Sequence, residues 1–342
     1  MSRLDEVIRD INKKAKTDIL TRGLPEIPHK KIPFTSPRMN YCTFGGIPIG
    51  FITEFYGEEH GGKTTTALDI VANYQRSDDE RPVLYIDAEN TLDVEWARKL
   101  GVLTEPEKFI LLQPEHQSAE EIFQMIYEIV GTGEVGLWVL DSIAVLVSSQ
   151  AWDKDLTEKT YAGISASLSA FASKMVQLNH KYTCTGVGIN QLRDNFNSMY
   201  GGTKTPGGRQ WKHCCAVRME FKRGDFIDDK GKKLTRSAEN PAGNIVLMSM
   251  TKNKFCPASR RTGFYTINYN TGINYLYDLV EVALKYDIVR QSGAWFAIMD
   301  PETGEIIKDK IHGQSAVYEV LEQDEECLAK VETLTEKFMQ EN

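Results

Sequence analysis

The chain has 342 residues, 41% of them apolar, and a formal net charge of −8, enough to bury one large α/β core with a small appendage. The acidic sum argues against a uniformly basic nucleic-acid surface and leaves local patches as the places where phosphate could be gripped. None of the cysteines (Cys42, Cys184, Cys214, Cys215, Cys256 and Cys327) falls in a C-x-x-C pair, so no zinc knuckle or redox motif is expected.

Scattered thiols fit a reducing compartment. The opening MSRLDEVIRDINKKAK has no apolar signal region, and no stretch approaches the roughly 18 apolar residues of a membrane span. A cytoplasmic location with no membrane partner is expected.

Residues 1–16 predict a short amphipathic helix, with Leu4, Val7, Ile8 and Ile11 at helical spacing. Residues 17–45 read as irregular, because Pro25, Pro28, Pro33 and Pro37 interrupt regular pairing. From Phe51 the pattern alternates. FITEFYG is a strand entering a Gly-rich turn, and Lys63 to Tyr74 is helical. RPVLYIDAE is a second strand followed by a helix over Leu92–Leu100, and KFILLQP is a third strand. Ser118-Ala-Glu-Glu121 forms a capping box for a helix ending at Gly131. VGLWVLDS is an apolar fourth strand suited to cover on both faces. A long helix near 160–180 and the strand TCTGVGINQ complete a β-α-β series that predicts a parallel sheet.

After residue 212, CAVRMEFKRG, NIVLMSMTKN and GFYTINYNTG read as strands of an antiparallel extension. A helix near 274–288 precedes a small lobe with a hairpin, WFAIMDPETGEIIK, and a closing helix. From Ala316 onward, eight acidic and two basic side chains give a local net of −6, a solvated face or an acidic tail that competes with nucleic acid.

Gly57-Glu58-Glu59-His60-Gly61-Gly62-Lys63-Thr64 matches G-x-x-x-x-G-K-[ST] between a strand and a helix, the context that motif needs. Glycines let backbone N–H groups converge on phosphate, and the helix N-terminus adds partial positive charge. Lys63 brings a point charge to the phosphates, and the Thr64 hydroxyl can ligate Mg²⁺. Asp141, closing the apolar run LWVLD, has the form of a second Mg²⁺-orienting acid. Glu89, ending the strand VLYIDAE, is a candidate to take a proton from an attacking water. Trp96 and Tyr56 are candidate aromatic faces for adenine, though each also suits core packing.

Leu192 to Lys212 is a long Gly-rich, poorly periodic stretch whose Arg193, Lys204, Arg209 and Lys212 outweigh Asp194 for a local net of +3. Phe196, Met199 and Tyr200 are apolar where no core periodicity requires them. Cations for phosphate and apolar side chains for bases are the chemistry of single-strand binding.

These segments resemble one family, the RecA recombinases. YGEEHGGKTTTALDI is similar to its phosphate loop, YIDAENTLDVEWARKLGV to its second strand, LWVLDSIAVL to its Mg²⁺ strand and GINQLR to its Asn-Gln signature. MTKNK and GINYLYDLVEVALKYDIVRQSGAWF resemble its distal core and the start of its C-terminal lobe. The resemblance runs in order from about residue 45 to 297. It implies that ATP and Mg²⁺ are bound by residues 57–64 with Thr65, that Asp141 supports the metal, and that Glu89 activates water. It further implies that Asp93 and Trp96 sit at the adenine and that Gln191 senses the γ-phosphate. Lys252 and Lys254 would reach the ATP of a neighbouring protomer. Residues 192–212 would form the second DNA loop, matched at Met199-Tyr200-Gly201 and at Gly207 and Gly208. The first would lie near Trp152 to Gly163, with Lys174 at a further contact. Ala162 and Ser167 depart from the family there.

The expected fold is therefore α/β. It comprises a RecA-like P-loop ATPase core with a central, mostly parallel sheet, a short N-terminal helical segment and a small α/β C-terminal lobe. The expected divisions are 1–44 (helix and subunit-docking segment), 45–288 (ATPase core) and 289–342 (lobe). The expected function is a DNA-dependent ATPase that forms a helical homopolymer on single-stranded DNA and exchanges strands with homologous duplex DNA. A hexameric helicase or translocase and a non-catalytic ATP-binding mediator are the alternatives.

Overall fold

A computed structural model of the chain describes residues 2–16, 19–21, 30–152, 163–194, 203–228, 233–235, 238–257 and 259–341. It divides into two compact units, 1–30 and 31–342.

In the first unit, helix α1 (Arg3–Ala15) starts in a complete capping box between Ser2 and Asp5. Lys13 and Lys14 in its last turn complement the helix dipole. The Asn12 side chain donates to the Leu20 carbonyl and accepts from its N–H, both at 2.9 Å, so the chain turns back after the helix.

The second unit opens with strand β1 (Lys31–Ile32) and helix α2 (Pro37–Thr43), and β1 pairs antiparallel with β2 (Ile47–Pro48). The expectation of an irregular stretch over 17–45 is corrected here. Pro37 begins a helix, because at the first helical position its missing N–H has no partner to lose, and Ser36 caps the turn through the Met39 N–H.

The alternating series follows as expected: β3 (Ile52–Gly57), α3 (Lys63–Gln75), β4 (Val83–Asp87), α4 (Val94–Lys99), β5 (Phe109–Leu112), α5 (Ala119–Gly131) and β6 (Leu137–Asp141). The Ser118–Glu121 capping box is present, with both of its hydrogen bonds made. Then come the short α6 (Ser149–Trp152), the long α7 (Ser165–Tyr182) and β7 (Thr185–Gln191). Strands β8 (Arg193–Asp194) and β9 (Thr203–Lys204) pair as a short ladder before α8 (Gly208–Cys214). The segment 192–212 is thus not loop throughout, since its last part is helical.

Strands β10 (Val217–Ile227), β11 (Lys233–Leu234), β12 (Gly243–Asn253), β13 (Thr262–Asn268) and β14 (Gly272–Ile273) complete the main sheet. Its order is β14-β13-β12-β10-β3-β7-β6-β4-β5, with β11 on β10. From β10 to β5 every pairing is parallel, whereas β12, β13 and β14 add antiparallel, as the texture change after residue 212 suggests.

Alternate residues of the parallel strands enter two apolar clusters. Val83 and Tyr85 of β4 join the cluster built with α3, while Leu84 and Ile86 join the one built with α5 and α7. Burial on both faces explains the near-continuous apolar runs.

Helix α9 (Tyr275–Lys285) leads into a three-stranded sheet of β15 (Val289–Ser292), β16 (Trp295–Met299) and β17 (Ile306–His312), then α10 (Gln314–Gln323) and α11 (Glu325–Glu341). The expected hairpin is present, but the one closing helix is two. Asp324 ends α10 outside helical geometry and caps the next turn through the Cys327 N–H at 3.0 Å. Leu279, Val280 and Ala283 of α9 share an apolar cluster with Phe296, Val317 and Val331.

Candidate functional site

The sheet order places β3, β7, β6 and β4 side by side, so the residues at their carboxyl ends meet. Register pairs Gly57 with Gln191 and Asp87 with Asp141 across that edge. This is where open α/β sheets take ligands.

The phosphate loop joins β3 to α3. Gly57 has a φ of +152°, and a Cβ built there would lie 2.0 Å from the Phe221 carbonyl oxygen. Gly62, at φ +87°, is the N-cap of α3 without a side-chain cap, which leaves its first N–H groups open to an anion. Lys63 folds back over the loop, donating to the carbonyls of Gly57 at 3.2 Å and Glu58 at 2.6 Å. Burial lowers its pKa, opposed by the nearby carboxylates of Asp141 and Glu89. Glu58, Glu59 and His60 are exposed at the tip.

Thr64 Oγ1 donates to Asp141 Oδ2 at 2.8 Å, bringing together the two residues expected at the metal. Burial pushes the Asp141 carboxyl up to about 6, and hydrogen bonds from Thr64 and Tyr85 hold it from rising further. A hydroxyl and a carboxylate are hard oxygen donors of the kind Mg²⁺ takes beside substrate phosphates. Among the described residues no group of three or more His, Cys, Asp or Glu could cage a metal. The Thr64–Asp141 pair fits such a cation.

Glu89 lies in the turn two residues beyond β4 and does not end the strand, a correction to its expected place. Its Oε1 accepts from Ser142 Oγ at 2.6 Å and from Gln191 Nε2 at 3.2 Å. The candidate base and the candidate phosphate sensor thus touch. Asp87 shapes the turn between Glu89 and α4 by accepting from the Thr91 and Leu92 N–H groups.

A cavity of about 490 Å³ opens beside the loop, lined by His60 to Thr65, Trp96 and the strand residues Arg223, Asn244, Ile267 and Tyr269. Trp96 reaches it with its Nε1 3.4 Å from Thr65 Oγ1. Asp93 caps α4 through the Trp96 N–H at 3.0 Å and does not line the cavity. Tyr56 is buried elsewhere, its ring under the Arg218 guanidinium, so it offers no face to the cavity. Arg223, Asn244, Ile267 and Tyr269 carry no motif. Strand register across β10, β12 and β13 brings them there.

Beneath the site is a buried network. Glu54 pairs with Arg218 and accepts from Asn190 Nδ2 at 2.9 Å. Asn190 also donates to the Pro206 carbonyl at 3.1 Å, and Arg218 approaches Thr205 Oγ1 at 3.4 Å. Strands β3, β7 and β10 are thereby tied to the end of the Gly-rich segment.

Of the expected DNA residues, Phe196, Met199 and Tyr200 lie outside the described residues, as does most of the first loop, 153–162. Arg193 and Lys204 are exposed on the β8–β9 ladder, and Arg193 donates to the Ala144 carbonyl. Gly207 (φ +99°) and Gly208 (φ +74°) turn the chain into α8, where Arg209 is exposed and Lys212 half-buried. Lys174 projects from α7 over the Tyr127 ring.

Lys252 stands near the end of β12 and Lys254 just beyond it. Lys252 donates to the carbonyls of Lys212 at 2.6 Å and His213 at 3.0 Å, and Lys254 to that of His213 at 3.4 Å.

A family model described as the RecA N-terminal domain matches residues 4–274. The chain is 33% identical over 297 residues to Protein RecA of Clostridium tetani, covering 86% of this chain and 78% of that one. It is 32% identical over 289 residues to Protein RecA of Fusobacterium nucleatum, covering 84% and 71%. It is 35% identical over 263 residues to Protein RecA of Clostridium beijerinckii, covering 76% and 68%. With this site at its sheet edge and the family match over most of its length, the chain belongs to the RecA family.

Proposed function

We propose that this chain is a DNA-dependent ATPase of recombination and repair that assembles on single-stranded DNA and exchanges strands with a homologous duplex. The observation that carries the reading is the meeting of Lys63, Thr64, Asp141, Glu89 and Gln191 at the ends of adjacent parallel strands. A protein that merely binds nucleotide has no use for a water-activating carboxylate in contact with a side chain beside the γ-phosphate position.

ATP occupies the loop 57–65 and the cavity walled by Trp96, Asn244 and Tyr269. Lys63 and the open N–H groups of α3 neutralise phosphate charge. Thr64 and Asp141 would hold Mg²⁺, which would supply further charge neutralisation when bound. Glu89 takes the proton of the attacking water. Gln191 divides its interactions between Glu89 and the terminal phosphate, so its position reports which nucleotide is bound. The segment after it bears Arg193, Lys204, Arg209 and Lys212, the cations proposed to hold DNA phosphates.

In the single chain Lys252 and Lys254 rest on the C-terminal carbonyls of α8. We assign them to the neighbouring protomer's nucleotide, so that the site is complete only in a polymer. No described helix is long and apolar enough to cross a membrane, and a cytoplasmic setting is proposed.

Strand exchange between a single-stranded circle and a homologous linear duplex tests the reading. Joint molecules that require ATP and homology are expected. Unwinding without homology would favour a helicase, and ATP binding without exchange or turnover a mediator.

A further inference from the structure

Two hydroxyls hold Asp141, and only Thr64 belongs to the phosphate loop. Thr64 Oγ1 donates to Asp141 Oδ2 at 2.8 Å, and the Tyr85 hydroxyl donates to the same oxygen at 2.9 Å. Tyr85 sits mid-strand in β4 opposite Val139 of β6, one alternate position before the Asp87–Asp141 pair. Tyr85, Asp87 and Asp141 therefore project from one face of the sheet. The Tyr85 ring is 1% exposed and stacks on Phe109 with centroids 5.8 Å apart. The ring is thus fixed by packing, and its hydroxyl reaches up the strand to a carboxylate at the sheet edge.

We propose that Tyr85 is a positioning residue for the metal-orienting acid, an inference that rests on the assignment of Asp141 and Thr64 to Mg²⁺. Tyr85 acts on the carboxylate's rotational freedom. A buried Asp with one hydroxyl donor can still turn about its last torsion, which is broad. A second donor on the same oxygen, carried by a ring that cannot move, fixes the plane of the group. Neither of these donors occupies Oδ1. Thr64 can donate its proton to Asp141 and still offer a lone pair to a cation. Tyr85 has no such second task, so its hold on Asp141 does not depend on whether metal is bound. Partners of this kind, one step removed from a metal, typically change affinity by about 10- to 100-fold when deleted.

Tyr85→Phe deletes this hydroxyl and keeps the ring. The full-length protein would be titrated with Mg²⁺ in the presence of a fluorescent, slowly hydrolysed ATP analogue, alongside wild type and Asp141→Asn. Thermal unfolding without metal or nucleotide is the structural control. Tyr85→Phe is expected to need about 10-fold more Mg²⁺ for half-saturation, with unchanged unfolding temperature and unchanged metal-free analogue affinity. A Mg²⁺ midpoint equal to wild type, while Asp141→Asn shifts, would overturn the role of Tyr85 and leave Asp141 at the metal. If Asp141→Asn does not shift either, the metal assignment fails and the inference with it. A shift matched by loss of metal-free affinity would mean that the hydroxyl merely supports the fold, which also overturns the proposal.

Discussion

Lys63 shows how a single side chain is prepared for phosphate. Its ammonium is drawn out of water and held on two loop carbonyls, so a phosphate need only displace neutral acceptors to gain a full charge pair. Lys63→Ala should abolish nucleotide binding or turnover, and normal DNA-stimulated hydrolysis in that variant would refute the assignment. Gly57 is constrained differently. With φ at +152° and a carbonyl 2.0 Å from the site of any Cβ, Gly57→Ala should displace the loop. Nucleotide affinity is expected to fall by at least about tenfold, read by equilibrium binding. Both residues were legible in the sequence because the loop motif fixes them by spacing. Tyr85, Arg223, Asn244 and Tyr269 were not, because sheet register between distant segments places them. Tyr85 reads as one more apolar residue in VLYID until Asp141 is seen above it.

At the level of elements, the βα alternation was readable because β4, β5 and β6 are near-continuous apolar runs and α4 and α5 open on side-chain caps, Asp93 and Ser118. Misreadings fell where one residue type has two uses. Pro37 breaks pairing in a strand yet starts a helix after Ser36. Asp324, one acid among many, separates α10 from α11. Gly207 and Gly208 resemble loop residues yet turn into α8.

The Glu54–Arg218 pair joins strands β3 and β10 where neither charge meets much water. Arg218→Ala would remove the cation partner of the buried Glu54, at a cost of about 3–5 kcal/mol, measurable by chemical denaturation. Asp278, in the first turn of α9, is fully buried, and burial pushes its carboxyl up to about 8 against the opposing charge of Arg38. Glu281 on the same helix reinforces the rise. A folded pKa above the unfolded one stabilises the chain while the group is protonated, and that contribution is lost as pH rises from about 4 through about 8. Asp278→Asn should therefore become the more stable protein as pH approaches 9, by a few degrees in melting temperature. Parallel wild-type and variant stabilities across pH 5–9 would contradict this.

Over the whole molecule, an acidic chain gathers most of its candidate DNA cations in the segment following Gln191, with Lys174 apart on α7. The segment's far end is anchored by Asn190 and Arg218 to β7 and β10, the strands on either side of β3 and its phosphate loop. The proposed nucleotide and DNA contacts thus share strands β3, β7 and β10, while Lys252 and Lys254 rest on carbonyls of α8 in the same chain. Replacing both lysines with alanine should spare ATP binding by the isolated chain and remove turnover on DNA. Persisting turnover would show that the site needs no neighbour. An active site completed by assembly on DNA is put to the test by ATP hydrolysis measured with and without single-stranded DNA. Strong stimulation by DNA is the result expected. Brisk hydrolysis indifferent to DNA would contradict the claim, since the site would then be complete within one chain.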